Sequence, residues 1–177
     1  MNAVAISAGG EHSCALLVNG IVECWGDNSN GELGNGTNNS SFTPIIVKGI
    51  GGSSRLVGVR AITIGDDHPC ALLSNGTVDC WGDNGNGELG NGTTRSSFTP
   101  VAVKGVGGVP RLTGVRAISA GGDHTCAALA SGAVDCWGYN SSGQLGAGTN
   151  IGPQHCQQLG LALSSLTATG GGLPRRI

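Results

Sequence analysis

Six cysteines in this chain could do covalent or metal chemistry, and they stand in pairs ten residues apart: Cys14 with Cys24, Cys70 with Cys80, Cys126 with Cys136. A seventh, Cys156, is left over. Thiolates form disulfides or bind metals, but a Cys-x9-Cys spacing is too long for the close ligand pair of a zinc site. Three histidines each follow an acid: Glu11-His12, Asp67-His68 and Asp123-His124. Metal or acid/base work would require all three to converge. Hydrogen bonding at a turn is the simpler reading of each. Asp27-Asn28-Ser29-Asn30-Gly31 hints at a calcium loop, but its glycine comes fifth instead of sixth and Tyr139 replaces the acid in a later copy. Asn35-Gly36-Thr37, Asn75-Gly76-Thr77 and Asn91-Gly92-Thr93 match a glycosylation acceptor, yet they also match the composition of turns. The chain shows neither a nucleophile elbow nor a phosphate-cradling loop. The expectation is a chain with no catalytic residue, no metal and no cofactor.

These residues recur because the whole text recurs. Cys14 to Thr37 returns at Cys70 to Thr93 and at Cys126 to Thr149, with Trp25, Trp81 and Trp137 at the same phase, 56 residues apart. A fixed period of this size marks supersecondary units that bury their apolar faces only against neighbours. Each unit opens with a short apolar strand (Val4 to Ala8, Val59 to Ile64, Val115 to Ala120), followed by the acidic-His turn. A second strand starts near the first Cys, and a third ends at Cys-Trp-Gly. Asn19-Gly20, Asn75-Gly76 or Ser131-Gly132 turns the chain between them. A Gly/Asn loop leads to a fourth strand at Phe42 to Val47 or Phe98 to Val103, and residues 49–58 and 105–114 connect the units. No helical period is present, so the fold class is all-β. The domains are repeat 1 at 1–58, repeat 2 at 59–114 and an incomplete repeat 3 at 115–150. Residues 151–177 read as a degenerate or disordered tail.

Side-chain alternation fixes the hairpin register. A two-residue turn at Asn19-Gly20 would set Cys14 opposite Trp25. A three-residue loop, Val18-Asn19-Gly20, sets Cys14 opposite Cys24 and gathers Cys14, Leu16, Val22 and Cys24 on one apolar face. The charge at Glu23 then falls on the other face, as do Asp79 and Asp135 in later units. Directly opposed residues lie within disulfide reach, which pairs Cys14–Cys24, Cys70–Cys80 and Cys126–Cys136. The alternative is three buried pairs of free thiols filling small core holes. Recurrent even pairing favours disulfides and an oxidising compartment, hence a secreted or cell-surface location. Reduced cysteines would place the protein in the cytoplasm.

The chain has 177 residues, 34 of them glycine, a net charge of −2 and 3% aromatics. Nothing here is a nucleic-acid footprint, and no apolar run approaches a membrane span. The core must come from small aliphatic side chains, with one tryptophan per unit packed between neighbours: Trp25, Trp81 and Trp137 are read as structural, like His12, His68 and His124. The N-terminal stretch matches the interior of the repeat (compare Arg60 to Gly65), so the chain reads as a piece of a longer array.

Three copies of His-x-Cys-Ala, then Gly-x-Val-(Asp/Glu)-Cys-Trp-Gly-x-Asn-x-x-Gly-(Glu/Gln)-Leu-Gly-x-Gly-Thr, resemble the RCC1 repeat, named after the regulator of chromosome condensation. The resemblance covers about residues 4–150. It implies blades of a β-propeller, usually seven around a channel, and three blades would form a partial one. The family includes an exchange factor for the GTPase Ran, plant light-sensing and ubiquitin-ligase modules, and a secreted bacterial β-lactamase inhibitor. The Cys-bearing pattern looks most like bacterial, exported members. The expected function is a non-enzymatic protein-interaction scaffold. Its partner is a protein, reached through variable polar loops; candidate contacts are Asn30, Glu32, Asn38, Asn86, Glu88, Arg95, Tyr139 and Gln144. The alternatives are a guanine-nucleotide exchange factor and a secreted enzyme inhibitor. Self-association or further blades would complete the propeller.

Overall fold

The computed structural model describes residues 2–150 and the backbone of residues 157–159. Three four-stranded antiparallel sheets follow one another along the chain. The first is β1 (Ala3–Ala8), β2 (His12–Leu17), β3 (Val22–Gly26) and β4 (Ser41–Ile46). The second is β5 (Val59–Ile64), β6 (Pro69–Leu73), β7 (Val78–Gly82) and β8 (Ser97–Ala102). The third is β9 (Val115–Ala120), β10 (His124–Leu129), β11 (Val134–Gly138) and β12 (Gln157–Leu159). Short 3-10 turns at Ile50–Gly52 and Val106–Gly108 lie in the connectors between sheets. The first strands, β1, β5 and β9, are neighbours in space, as blades set around an axis require.

The hairpin register is the three-residue one. Cys14 faces Cys24, Leu16 faces Val22, and the Leu17 N–H donates to the Ile21 carbonyl. Gly20 closes the loop at φ +76°, a conformation that costs a residue with a Cβ and costs glycine little. The disulfides Cys14–Cys24, Cys70–Cys80 and Cys126–Cys136 are all formed, each with its Cα atoms 4.1 Å apart, the close spacing of directly opposed strand residues. Gln157–Leu159 lies inside the span read from sequence as tail. It occupies the fourth place of the third sheet, with Cys136 facing Gln157 as Cys24 faces Ile45 and Cys80 faces Val101. The other residues of that tail, Cys156 included, lie outside the described residues.

The core sits between sheets, not within them. Cys14, Leu16, Val22 and Cys24 of the first sheet pack with Leu33 and Val47 against Ile64, Ala71 and Trp81 of the second. One step along, Cys70, Leu72, Val78 and Cys80 pack with Leu89 and Val103 against Ala127 and Trp137 of the third. Thus the disulfide face of each blade receives the tryptophan face of the next. Trp81 and Trp137 are fully buried, whereas Trp25, which faces no preceding blade among the described residues, is only half-buried.

The indole N–H groups give these interfaces direction. Trp81 Nε1 donates to the Glu32 carbonyl and Trp137 Nε1 to the Glu88 carbonyl, both at 2.7 Å. Truncation to Trp81→Ala should therefore cost about 3–5 kcal/mol in denaturant unfolding. Trp81→Phe keeps most of the packing but strands a buried carbonyl, and should cost about 1–3 kcal/mol. A loss from Trp81→Ala well under about 1 kcal/mol, the range of ordinary surface substitutions, would contradict this packing.

Candidate functional site

Each third strand ends at a Trp-Gly pair, and the long loop that follows is built around one asparagine. Asn28 is fully buried. Its Nδ2 donates to the Thr37 and Asn39 carbonyls and its Oδ1 accepts the Leu33 N–H. Asn84 repeats this with Thr93, Arg95 and Leu89, and Asn140 with Thr149 and Leu145. One carboxamide thus replaces several backbone partners that a sheet would have supplied. The fixed phase of these asparagines was visible in the repeat, but their burial was not.

Glu32 and Glu88 are not exposed loop acids, contrary to the expectation from sequence. They are buried at 0% and 1% exposure. The Glu32 carboxylate folds back onto the backbone N–H and side-chain Nδ2 of Asn30, and Glu88 does the same to Asn86. Burial pushes both carboxyls up from their ordinary range, and the turn hydrogen bonds pull the other way. Each holds the turn whose carbonyl meets the next indole. Asn38, Asn86, Arg95 and Tyr139 are exposed, and Asn30 and Gln144 are half-buried, with Gln144 Oε1 accepting the Ser142 N–H.

The calcium-like stretch is occupied by its own hydroxyls. Asp27 accepts from the Ser29 hydroxyl and N–H and from the Ser40 hydroxyl, which together lower its carboxyl to about 2. The Asn-Gly-Thr triplets form side-chain-closed turns, with Asn35, Asn75 and Asn91 each accepting from the Thr N–H and hydroxyl two residues on.

His12 and His68 are buried at the two blade interfaces. His68 Nε2 and Thr125 Oγ1 are 2.9 Å apart across the second interface, buried. At the first interface the position equivalent to Thr125 is Pro69, which has no hydroxyl, and neither ring nitrogen of buried His12 has a partner. Among the described residues no three His, Cys, Asp or Glu come together to hold a metal.

Exposed and half-buried acids gather at one end of the strand direction. The β1–β2-type turns and the exits of the third strands lie at one end of the blades. That end carries Glu11, Asp27, Asp66, Asp67, Asp83 and Asp123. These groups feel one another: burial raises the Asp67 carboxyl, and Asp83, Asp66, Asp123 and Asp27 raise it further. The hairpin end carries Lys48, Arg55, Arg60, Lys104, Arg111 and Arg116 together with Glu23, Asp79 and Asp135, and Arg95 lies on the loop at the acidic end. Several of these are structural: Arg60 donates to the Val115 and Arg116 carbonyls of the next blade, and Arg111 pairs with buried Asp79.

A family model described as the regulator of chromosome condensation (RCC1) repeat matches residues 19–72 and 75–128, and a second RCC1 repeat model matches 3–32, 59–88 and 115–144. This chain belongs to the RCC1 repeat family. It is 31% identical over 171 residues to the ultraviolet-B receptor UVR8 of Arabidopsis thaliana, covering 94% of this chain and 37% of the receptor. It is 34% identical over 165 residues to the probable E3 ubiquitin-protein ligase HERC6 of Homo sapiens, covering 91% of this chain and 15% of the ligase. Human WBSCR16 superposes with a TM-score of 0.72 at 25% identity, over 89% of this chain and 39% of that one. Yeast RCC1 (Prp20), in its crystal structure with Kap60, superposes with a TM-score of 0.50 at 18% identity, over 95% of this chain and 50% of that one. The RCC1 blades described above are therefore propeller blades. The chain spans about a third or less of the length of these curated relatives.

His68 sets a pH dependence that is calculable in sign. Burial, with His124 nearby, lowers its imidazolium to about 4 from 6.5, against a smaller opposing pull from Asp83. Above 6.5 both folded and unfolded rings are neutral. Between 6.5 and 4 only the unfolded ring takes a proton, so stability falls as pH falls through that window. Glu32, Glu88, Asp79 and Asp135, held above their usual range, act in the opposite sense. The His68 contribution is isolated by comparison with His68→Gln. Denaturant unfolding from neutral pH to pH 4 should show wild type losing about 3 kcal/mol more than the variant. Parallel profiles would show that His68 is not the titrating group.

Proposed function

We propose that this RCC1-repeat chain is a non-enzymatic protein-interaction scaffold. Its acidic loop end engages a basic surface of a partner protein. The observation that carries this is the stacking of six carboxylates at one end of three successive blades, beside the exposed loop residues Asn38, Asn86, Arg95 and Tyr139. Such a potential steers encounter and sets register more than it adds raw affinity. The loops differ in charge between blades at exposed Asn39 against exposed Arg95 and at half-buried Asp83 against exposed Tyr139, while the buried asparagines Asn28, Asn84 and Asn140 repeat. That is how a scaffold separates recognition from stability.

We further propose that the chain works outside a reducing cytosol, as an exported or cell-surface protein of the bacterial, Cys-bearing kind. Three disulfides support this. Inhibition of an enzyme is one form the scaffold's role could take. Guanine-nucleotide exchange is the second reading, supported by the shared fold with yeast RCC1. An oxidising compartment disfavours it.

The test has two arms. Protein from its native compartment, measured intact without reductant, should be lighter than the reduced chain by six hydrogens, two for each of the three disulfides. Binding to captured partner protein should weaken with salt and fall at least about tenfold in an Asp66→Asn, Asp67→Asn, Asp123→Asn variant. Fully reduced thiols, or capture indifferent to these charges with accelerated nucleotide release from a GTPase, would favour exchange instead.

A further inference from the structure

Asparagine stands directly before glycine at Asn19, Asn30, Asn35, Asn75, Asn84, Asn86 and Asn91. This pair carries a reaction that needs no enzyme. The glycine nitrogen attacks the asparagine Cγ, the carboxamide nitrogen leaves as ammonia, and a cyclic imide forms. Water then opens the imide at either carbonyl. The sum is asparagine plus water giving aspartic or isoaspartic acid plus ammonia. Glycine favours the attack because it has no Cβ to crowd its own nitrogen. The carboxamide must also leave whatever holds it.

That hold differs from pair to pair. Asn84 is fully buried, and its carboxamide is engaged by Thr93, Arg95 and Leu89. Asn30 and Asn86 donate Nδ2 to the carboxylates of Glu32 and Glu88, at 3.1 and 2.9 Å. Hydrogen bonds to a charged acceptor are the stronger kind. At Asn35, Asn75 and Asn91, Oδ1 accepts both the N–H and the hydroxyl of the threonine two residues on. Asn19 has isoleucine at that place. Its Oδ1 accepts the Ile21 N–H, at 3.1 Å, and no hydroxyl stands there to add a second bond. Asn19 is exposed at the hairpin tip. The exposure belongs to the tip itself, because Asn75 holds the same place in the middle blade, between the other two, and is exposed as well. The attacking nitrogens of these two pairs are alike: Gly20 N–H donates to the Leu17 carbonyl and Gly76 N–H to the Leu73 carbonyl, both at 2.9 Å.

We propose that Asn19 is the site at which this chain converts spontaneously to aspartate and isoaspartate, ahead of every other Asn-Gly pair. Isoaspartate routes the backbone through Cβ, which adds a methylene between positions 19 and 20, and it brings a new carboxylate to the hairpin end. The Gly20 carbonyl accepts the Val59 N–H, so the lengthened tip is the one that meets the first strand of the second blade. Cys14–Cys24 ties β2 to β3 covalently, so the strand register survives while the tip shifts. The product is a substrate for an enzyme that methylates isoaspartyl carboxyls. This inference does not depend on the loop-end reading, because it uses the opposite end of the blades.

The test is timed peptide mapping of the folded, oxidised chain in warm, mildly alkaline buffer. Mass reads the deamidated fraction at each pair, and labelling with an isoaspartyl methyltransferase reads the isoaspartate. The reduced, denatured chain is the reference, in which all these pairs should react at similar rates. In the folded chain Asn19 should react first, about fivefold faster than Asn75, the factor that one net hydrogen bond is worth. Thr77→Val removes the hydroxyl from Asn75 and should raise its rate toward that of Asn19, with Asn19 itself unmoved. The variant should fold, because the first blade already carries an apolar residue there, Ile21. An Asn19 that stays intact in the folded chain overturns the proposal, and so do equal rates at Asn19 and Asn75 or a lead by any other pair. An Asn75 rate that Thr77→Val leaves unchanged overturns the hydroxyl as the restraint.

Discussion

The structure depends on the contact between the tryptophan of one blade and the loop of the blade before it. A four-stranded sheet of alanines, valines and leucines has too little apolar surface to hold itself together in water. It must lend one face to each neighbour. The indole is the largest fully buried side chain at that contact and supplies one directed hydrogen bond, from Trp81 to the Glu32 carbonyl. Everything around it serves that geometry. Gly34 removes a Cβ that would strike the ring, Asn28 holds the loop in shape, and Glu32 turns its carboxylate inward onto Asn30 so that its carbonyl faces the next blade. Four side-chain types at fixed phase make one socket, and the socket recurs because the phase recurs.

The disulfides answer a related shortage. A cross-strand Cys pair occupies the centre of the face that receives the tryptophan, where Cys14 and Cys24 are almost fully buried. Sulfur gives that position polarizable contact area in a small volume. A covalent link also fixes the register of β2 on β3, so a one-residue slip that would turn every apolar side chain to the wrong face is closed off. In a chain with so much glycine, where the unfolded state has large conformational freedom, that restraint substitutes for the bulk a conventional core would have.

Much of this was legible from residues. Alternation around Asn19-Gly20 decided the register, because the three-residue loop gathers Cys14, Leu16, Val22 and Cys24 on one wholly apolar face and leaves the charge at Glu23 on the other, with Ala15, Leu17 and Ile21, and the pairs Cys14–Cys24, Cys70–Cys80 and Cys126–Cys136 follow from it. The period located the strands and assigned the tryptophans to interfaces. What was not legible was anything settled by the neighbouring blade. Glu32 and Glu88 looked like solvent-facing loop acids, since a Gly-Glu-Leu-Gly stretch gives no sign that the carboxylate bends back and is then covered. His12 and His68 look alike in sequence, yet His68 meets Thr125, while His12 has no hydroxyl to meet, because the position equivalent to Thr125 is Pro69. The difference sits 57 residues away from each histidine, beyond the reach of any local pattern. The fourth strand of the third sheet was missed because Gln157–Leu159 lacks the Phe-Thr-Pro opening of β4 and β8, although its backbone takes the same register.

Repetition also turns a weak local preference into a strong global one. A net charge of −2 suggests an unremarkable surface. The period places each acid of the β1–β2-type turn beside its counterpart in the next blade, however, so single charges add into a stripe at one end while arginines and lysines add at the other. At Asp67 burial raises the carboxyl first, and the neighbouring acids raise it further. A fold selected for stability alone would interleave the signs, because opposite charges a few ångströms apart attract and like charges repel. The acidic stripe runs across three blades whose interfaces are held by apolar faces, the indole hydrogen bonds and the Arg60 contacts to the next blade, none of which uses its carboxylates. Part of the arrangement has an internal cause, because Asp27 and Asp83 accept hydrogen bonds from the Ser40 and Ser96 hydroxyls and so pin the two ends of the loops that follow them.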